Sequence, residues 1–533
     1  MNNKRLLDFF GYLSFLIYFI IVFIKTGMIG GGLLGLTLLL YYVIYIVFID
    51  GVGNTMARMV AVRIKRGFKD NARKIFGYVM FYTFLAGTAA LAGFVLAGND
   101  ISDKLFSNEG TGAVVSIIGL LFLIHGLSHN IKCYYIGCGG HILLFIADIV
   151  SMILLPAGTF YVIDLFLEHG TKVAAIKNDT MMTGIYGAIG AMLVLCAANL
   201  LRLLILLAGL RSVTRAENYS FNEVRTKDGV RTFLRSFFPE YIKYLRKNIA
   251  VPLMLFINAM IYSRVGFSTG VSREDVYSQI GCILGPGLAF CFFFIKNYNS
   301  YAAIMQAKLK SGFKKEDRKG VTTRFNSYAK NVVIIVIPLF ITMLIMAGAV
   351  SGGIFKASSD EITKLGMLAS LIFLFSSLDA FFYAGLRATG FDTIGFLGEI
   401  AGFVLALVYV LMSSRSGIKM SIFVVSLIIF FAAAMLIHGF FALSNIGLRS
   451  YDLGAKTIKV IISALPMLIV ELLLVKLVTM NVLIIAITVL VGYLLYFLIL
   501  VLTRGMNQKE LGGLQGAFIY YPINFFMGMF HIR

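Results

Sequence analysis

Lys296, Asn297, Asn299 and Ser300 interrupt a long apolar run at residues 276–306, and their types specify a chemistry. An ammonium there suits an anionic group, while the two amides and the hydroxyl can donate and accept hydrogen bonds. Lys296 stands twelve residues before Lys308, roughly 18 Å along a helix, which is too deep for a side chain that merely snorkels to the interface. The alternative is a neutralising pair with Asp50. Arg58 is either a cation at a cavity mouth or a snorkelling anchor, and Arg202 either a cavity cation or half of a buried pair. Asp148, Asp379, Glu399 and Glu471 place carboxylates in other apolar runs, where an acid can load and release a proton or hold sodium. For Asp379 a salt bridge to Arg387 is the competing reading; for Asp148 and Glu399 it is a structural role shared by equivalent positions. His125 and His129, one helical turn apart, can titrate near neutrality, but no third ligand makes them a metal site.

The elements that must carry these residues are membrane spans. Of 533 residues, 59% are hydrophobic and 14% charged, against roughly 45–50% and 25% in a soluble domain, so the chain cannot coat a water-soluble globule. Fourteen windows between residues 8 and 503 are long and apolar enough to cross a bilayer core of about 30 Å. The net charge of +21 does not point to nucleic acid, because the cations sort by loop: of 47 Lys and Arg, 34 fall in one set of alternate connections and 11 in the other. The positive-inside rule then places both termini in the cytoplasm. The longest connection, 211–248, includes a basic amphipathic stretch at 233–247 that suits an interfacial helix on anionic lipid, or else an ordinary linker. The five cysteines lie in or beside apolar runs without ligand spacing, and no phosphate-cradling Gly-rich loop ends in Gly-Lys-Ser/Thr, so no cofactor is expected.

The two halves carry a repeat. Residues 63–74 and 308–319 share six of twelve positions at an offset of 245, and at 251 Phe145, Asp148 and Ile149 fall on Phe396, Glu399 and Ile400. Halves with an even number of crossings share one orientation, the pattern of parallel repeats about an axis along the membrane normal. The expected architecture is an all-α polytopic membrane protein of about fourteen helices: two six-helix lobes, 1–210 and 249–446, a linker at 211–248, two extra spans in 447–503 and a cytoplasmic tail at 504–533.

Asp50-Gly51-Val52-Gly53-Asn54-Thr55-Met56-Ala57-Arg58-Met59-Val60-Ala61, running into Gly67-Phe68-Lys69-Asp70-Asn71-Ala72-Arg73-Lys74, resembles the end of span 2 and the following loop in the multidrug/oligosaccharidyl-lipid/polysaccharide exporter superfamily. Gly312-Phe313-Lys314 and the stretch from Ala384 to Gly390 are the second-half counterparts. The likeness is strongest to the polysaccharide flippase branch that includes the stage V sporulation protein B and lipid II flippase families, although Val52-Gly53-Asn54 stands where a proline is common. The resemblance implies a secondary transporter, not an enzyme, that flips a lipid-linked oligosaccharide or cell-wall precursor across the bacterial cytoplasmic membrane by alternating access. Glycan-synthesising enzymes and anionic lipids are its implied partners. A cation-coupled multidrug exporter is the alternative, and a membrane-embedded glycosyltransferase a weaker one, since no outer loop is long enough for a catalytic domain. Spans 1, 2, 7 and 8 line the cavity in that superfamily, which implies substrate contact for Lys296, Asn297, Asn299, Ser300, Arg58 and Asn54, with Arg202 a further candidate. Ion coupling is implied for Asp379, with Asp148 and Glu399 as further candidates, because drug-extruding relatives use an acid on span 10.

Overall fold

The computed structural model describes residues 2–106, 111–140, 142–216, 229–313, 317–447, 450–506, 510–511 and 520–529. Helices make up the fold, with no strand among these residues. Lipid offers the backbone no hydrogen-bond partner, so apolar runs of this length must satisfy their own N–H and C=O groups within helices. Thirteen helical stretches among the described residues are long and apolar enough to cross a membrane. The first, Leu7–Lys65, has 59 residues, the length of two crossings, so the expected spans 1 and 2 occur as one stretch. It breaks at Gly27, whose φ of 70° and ψ of −174° lie where a side chain would be strained. Side chains facing outward are as apolar as a core: Leu96 is 85% exposed and Ile176 84%, which only a lipid surround makes favourable.

By contacts the chain divides into two compact units, residues 13–281 and residues 1–12 with 282–533. The division falls inside a helix, Arg273–Cys282, and not in the linker between residues 210 and 249.

In the unit 13–281, α1 (Asn2–Tyr45) passes through a π-helical turn, Ile46–Asp50, into α2 (Gly51–Lys65). There follow α3 (Lys69–Phe106), α4 (Gly112–Gly137), α5 (Ile142–Lys177) and α6 (Met181–Ala216). Residues 98–104 are helical, as the last two turns of α3. Next come α7 (Val230–Asn248) and α8 (Ala250–Ser268). The helix α7 is apolar on two sides. Phe233, Phe237 and Tyr241 follow one another on the inner side, with Phe233 against Tyr78 at 5.3 Å and Phe237 buried. On the outer side Val230, Leu234, Phe238 and Ile242 form an exposed row at four-residue spacing, flanked by exposed Arg231, Arg235, Lys243 and Arg246.

In the second unit, α9 (Arg273–Cys282) ends at the division and a π turn, Ile283–Leu288, leads into α10 (Ala289–Phe313). It continues through α11 (Arg318–Ala349), α12 (Asp360–Ala388), α13 (Asp392–Ser413) and α14 (Met420–Ile446). The hairpin of α15 (Ser450–Leu477) and α16 (Val482–Leu502) packs on α11, where Tyr496 donates to the Ile334 carbonyl at 2.9 Å and Thr342 donates to Glu471 at 2.9 Å. Glu510 ties the chain beyond α16 back to the same helices, pairing with Lys456 at 2.5 Å and Lys330 at 3.7 Å. The repeat segments fold differently at their shared glycine: Gly67 ends a helix with φ of +83°, whereas Gly312 lies inside α10. Lys314 lies outside the described residues.

Candidate functional site

The π turn at the head of α2 organises the densest polar cluster among the described residues of the unit 13–281. The Gly51 N–H reaches back five residues to the Ile46 carbonyl, and the Val47 carbonyl accepts the Tyr241 hydroxyl of α7 at 2.8 Å. Such π bulges recur at functional sites because they free a backbone acceptor and re-aim side chains. Here the re-aimed group is Asp50. Its Oδ1 accepts Asn54 Nδ2 at 2.8 Å and the Tyr45 hydroxyl at 3.3 Å, and its Oδ2 accepts the Tyr244 hydroxyl of α7. Asn54, a predicted substrate ligand, therefore braces Asp50, with Tyr244 also 3.4 Å from its amide. Burial, and then the charge of Asp50, holds the Tyr244 hydroxyl well above the usual tyrosine range; burial pushes Tyr241 up to about 12. Both tyrosines are thus neutral donors.

The neighbouring imidazole closes the cluster: the Tyr45 hydroxyl lies 3.2 Å from His129 Nδ1, and His129 Nε2 lies 3.3 Å from Asp50 Oδ1 and 3.3 Å from Cys133 Sγ. One turn earlier, His125 Nδ1 pairs with the Tyr41 hydroxyl at 2.7 Å and its ring stacks on Tyr45 at 4.8 Å.

The second unit contains another aspartate–histidine pair. His438 of α14 is fully buried; its Nε2 meets the Gly395 carbonyl at 2.8 Å and its Nδ1 meets Asp379 Oδ1 at 2.6 Å. A carbonyl can only accept, so Nε2 carries a proton, and a 2.6 Å contact between Nδ1 and a carboxylate needs a second one between them. The Asp379–His438 pair thus holds a shared proton. Tyr383 stacks on His438 at 4.8 Å, and Arg387 lies 5.2 Å over that ring while bonding Asp392 at 3.3 Å. Asp379 thus has a histidine partner where the sequence suggested Arg387. His129 and Asp379 stand 250 residues apart, within the offsets of the internal repeat.

Asp148 and Arg202, predicted for ion coupling and substrate contact, are brought together. Asp148 bonds both Arg202 and Lys132, the latter at 2.9 Å, in a buried triad. Two cations against one acid compensate the charge on Arg202 within the helices. Glu399 lies on α13, outside the Asp379 pair's own hydrogen bonds. Along α10, Lys296 and Asn299 are exposed, Asn297 donates to the Phe293 carbonyl at 2.8 Å, and Ser300 donates to the Lys296 carbonyl at 3.3 Å. Arg58 is exposed on α2. Sequence reasoning missed His438, Tyr45 and the docking of Tyr244. A lone histidine in the apolar window 420–444 was the available signal for the first, since such a group needs a partner.

No protein-family model matches the chain, and no curated protein is significantly similar to it. Its fold, however, is that of solved transporters of the multidrug/oligosaccharidyl-lipid/polysaccharide (MOP) superfamily. An inward-facing multidrug resistance MATE family transporter of that superfamily matches with a TM-score of 0.64 at 12% identity, covering 82% of this chain and 94% of its own. The lipid II flippase MurJ in an inward closed conformation matches with 0.52 at 15% identity, over 94% and 98%. A eukaryotic MATE transporter, AtDTX14, matches with 0.54 at 12% identity, over 86% and 98%.

Proposed function

We propose that this chain is a multi-pass membrane transporter that moves a lipid-linked oligosaccharide or cell-wall precursor across the bacterial cytoplasmic membrane, with both termini in the cytoplasm. The observation that carries the reading is the exposed run on α10. Lys296 and Asn299 lie on an apolar span yet remain exposed. An ammonium facing hydrocarbon costs a few kcal/mol, so an exposed one on a span suits a surface that meets water or an anionic ligand. A pyrophosphate headgroup supplies the anion, Asn299 reaches sugar hydroxyls, and Asn297 and Ser300 extend the candidate surface. The similarity to MurJ over most of both chains supports a lipid-linked cargo, and enzymes that build the glycan are the partners such a cargo implies.

Coupling is assigned to the Asp379–His438 pair, which carries no net charge while the shared proton is in place and one negative charge once it leaves. Asp148, fixed between Arg202 and Lys132, and Glu399 are secondary candidates. The second reading, a cation-coupled drug exporter, is favoured by the same buried acid and by the MATE likeness. In cells that depend on this protein, Lys296→Ala should cause lipid-linked oligosaccharide to accumulate on the inner leaflet, and Lys296→Arg should restore part of the export. Unchanged export by Lys296→Ala would remove the assignment.

A further inference from the structure

We propose that Glu471 is a proton-binding site, and that the proton it holds fastens the α15–α16 hairpin to α11. The inference lies wholly within the second unit and does not depend on the cargo.

A proline sets the geometry. Pro338 lies inside α11 and has no N–H, so the Ile334 carbonyl one turn before it is released from the helix ladder. The Tyr496 hydroxyl of α16 donates to that carbonyl at 2.9 Å and ties the hairpin to the interrupted turn. One turn beyond the proline, Thr342 donates to Glu471 Oε1 of α15 at 2.9 Å and lies 3.9 Å from Met467 Sδ. Gly492 of α16 closes the third side: a Cβ there would stand 3.0 Å from Glu471 Oε1 and 3.1 Å from Met467 Cγ.

The three helices thus meet around a carboxyl group with 0% exposure. Among the described residues Thr342 is its one hydrogen-bond donor, no Lys, Arg or His pairs with it, and its Oε2 has no hydrogen-bond partner. The Tyr493 hydroxyl of α16 is buried beside Glu471 and Thr342. Ionised, this acid is a charge buried with a single donor and no counter-ion, an arrangement that a fold tolerates poorly. A proton removes the charge and needs no further ligand, and the hydroxyls of Thr342 and Tyr493 can accept as well as donate. A sodium ion needs several oxygens, whereas Met467 and Gly492 occupy two sides of this acid with none to offer. Binding is one step: a hydronium ion gives its proton to the carboxylate, one O–H bond forms, and water is left.

The packed hairpin holds this proton, and a hairpin parted from α11, with Glu471 open to water, releases it. Packing is therefore fullest in acid and weakens as pH rises, because the packed state binds the more protons. The ionisable groups of every packed element leave that link to Glu471. Those of α11 all lie between Arg318 and Lys330, well before Thr342, and α16 brings only Tyr493 and Tyr496. On α15 itself, Asp452, Lys456 and Lys459 stand near its start, with Lys456 paired to Glu510, and Lys476 is exposed in its last turn.

The test uses the full-length protein in nanodiscs. Infrared difference spectra between wild type and Glu471→Gln at neutral pH should show the C=O stretch of a protonated carboxylic acid, present in the wild type and lost in the variant. Amide hydrogen exchange of residues 482–502, corrected for intrinsic exchange, is then followed from about pH 5 to about pH 9. Wild-type protection should fall about tenfold toward alkali, the effect of one pH unit of preferential proton binding by the packed state, while α3 stays unchanged. Glu471→Gln, neutral throughout and still able to accept from Thr342, should show no such fall. Thr342→Val, which removes the donor that favours the ionised form, should move the transition to higher pH, which a purely structural contact would not do. Absence of the infrared band, wild-type protection that is flat with pH, or a Glu471→Gln variant that keeps the wild-type transition overturns the proposal. Protection regained in alkali with sodium but not with choline overturns it too, in favour of a metal cation. Because no export is measured, failure of the proton site and failure of the cargo assignment are distinguishable.

Discussion

At the scale of single residues, an acid in this chain is defined by its partner. Asp50, Asp148 and Asp379 all sit in apolar helices, yet one meets tyrosines, an asparagine and a histidine, one lies between two cations and one shares a proton with a histidine. The third holds a proton that can be exchanged. Asp379→Asn should therefore abolish the dependence of transport on the ion gradient, His438→Gln should do so too, and Arg387→Gln should leave it in place, because that arginine bonds Asp392. Flux measured in proteoliposomes with and without an imposed gradient separates the three. The candidates themselves were legible from composition, since an ionisable group in an apolar run stands out one residue at a time. Their partners were not. His438 lies 59 residues from Asp379, and only packing brings α14 against α12; Arg387 was the near neighbour in sequence and the wrong one in space.

Individual elements show where periodicity suffices and where it does not. Hydropathy located the spans because a window of about 20 apolar residues has few other stable fates. It could not see that spans 1 and 2 run together through Gly27, nor that α3 stays helical to Phe106, because helices extend past the bilayer wherever their ends find partners. The amphipathic stretch of the linker was legible as a helix with a basic side, but its second apolar side, docked on a π turn, required tertiary contacts. That docking depends on close approach below it. A Cβ on Gly53 would stand 2.5 Å from Asn130 Oδ1, 2.8 Å from His129 Cδ2 and 3.0 Å from Cys133 Sγ. Gly53→Ala should push α4 from α2 and destabilise the protein by about 1–3 kcal/mol, the usual cost of overpacking. A detergent-based thermal shift assay should show a lower Tm for Gly53→Ala than for Gly77→Ala, where a Cβ meets open space.

For the whole molecule, the surplus of 21 positive charges is a statement about sides. Cysteines introduced at Gly67 and at Ser358 should be labelled by an impermeant maleimide from opposite faces, Gly67 from the cytoplasm. Four native thiols, Cys133, Cys196, Cys282 and Cys291, are buried, and Cys138, half-buried, is replaced by serine in the labelling background. The repeat that linked the halves in sequence is coarser in structure, as Gly67 and Gly312 show. The π turns at 46–50, 283–288 and 350–354 bear on such comparisons too. Each is the trace of one surplus residue in a helix, so a gap-free alignment of the halves slips in phase wherever their π turns do not coincide. At 46–50 the surplus has a geometric meaning: deleting one residue there would restore a regular helix, turn everything before it by about 100° about the axis, and carry Tyr45 away from Asp50.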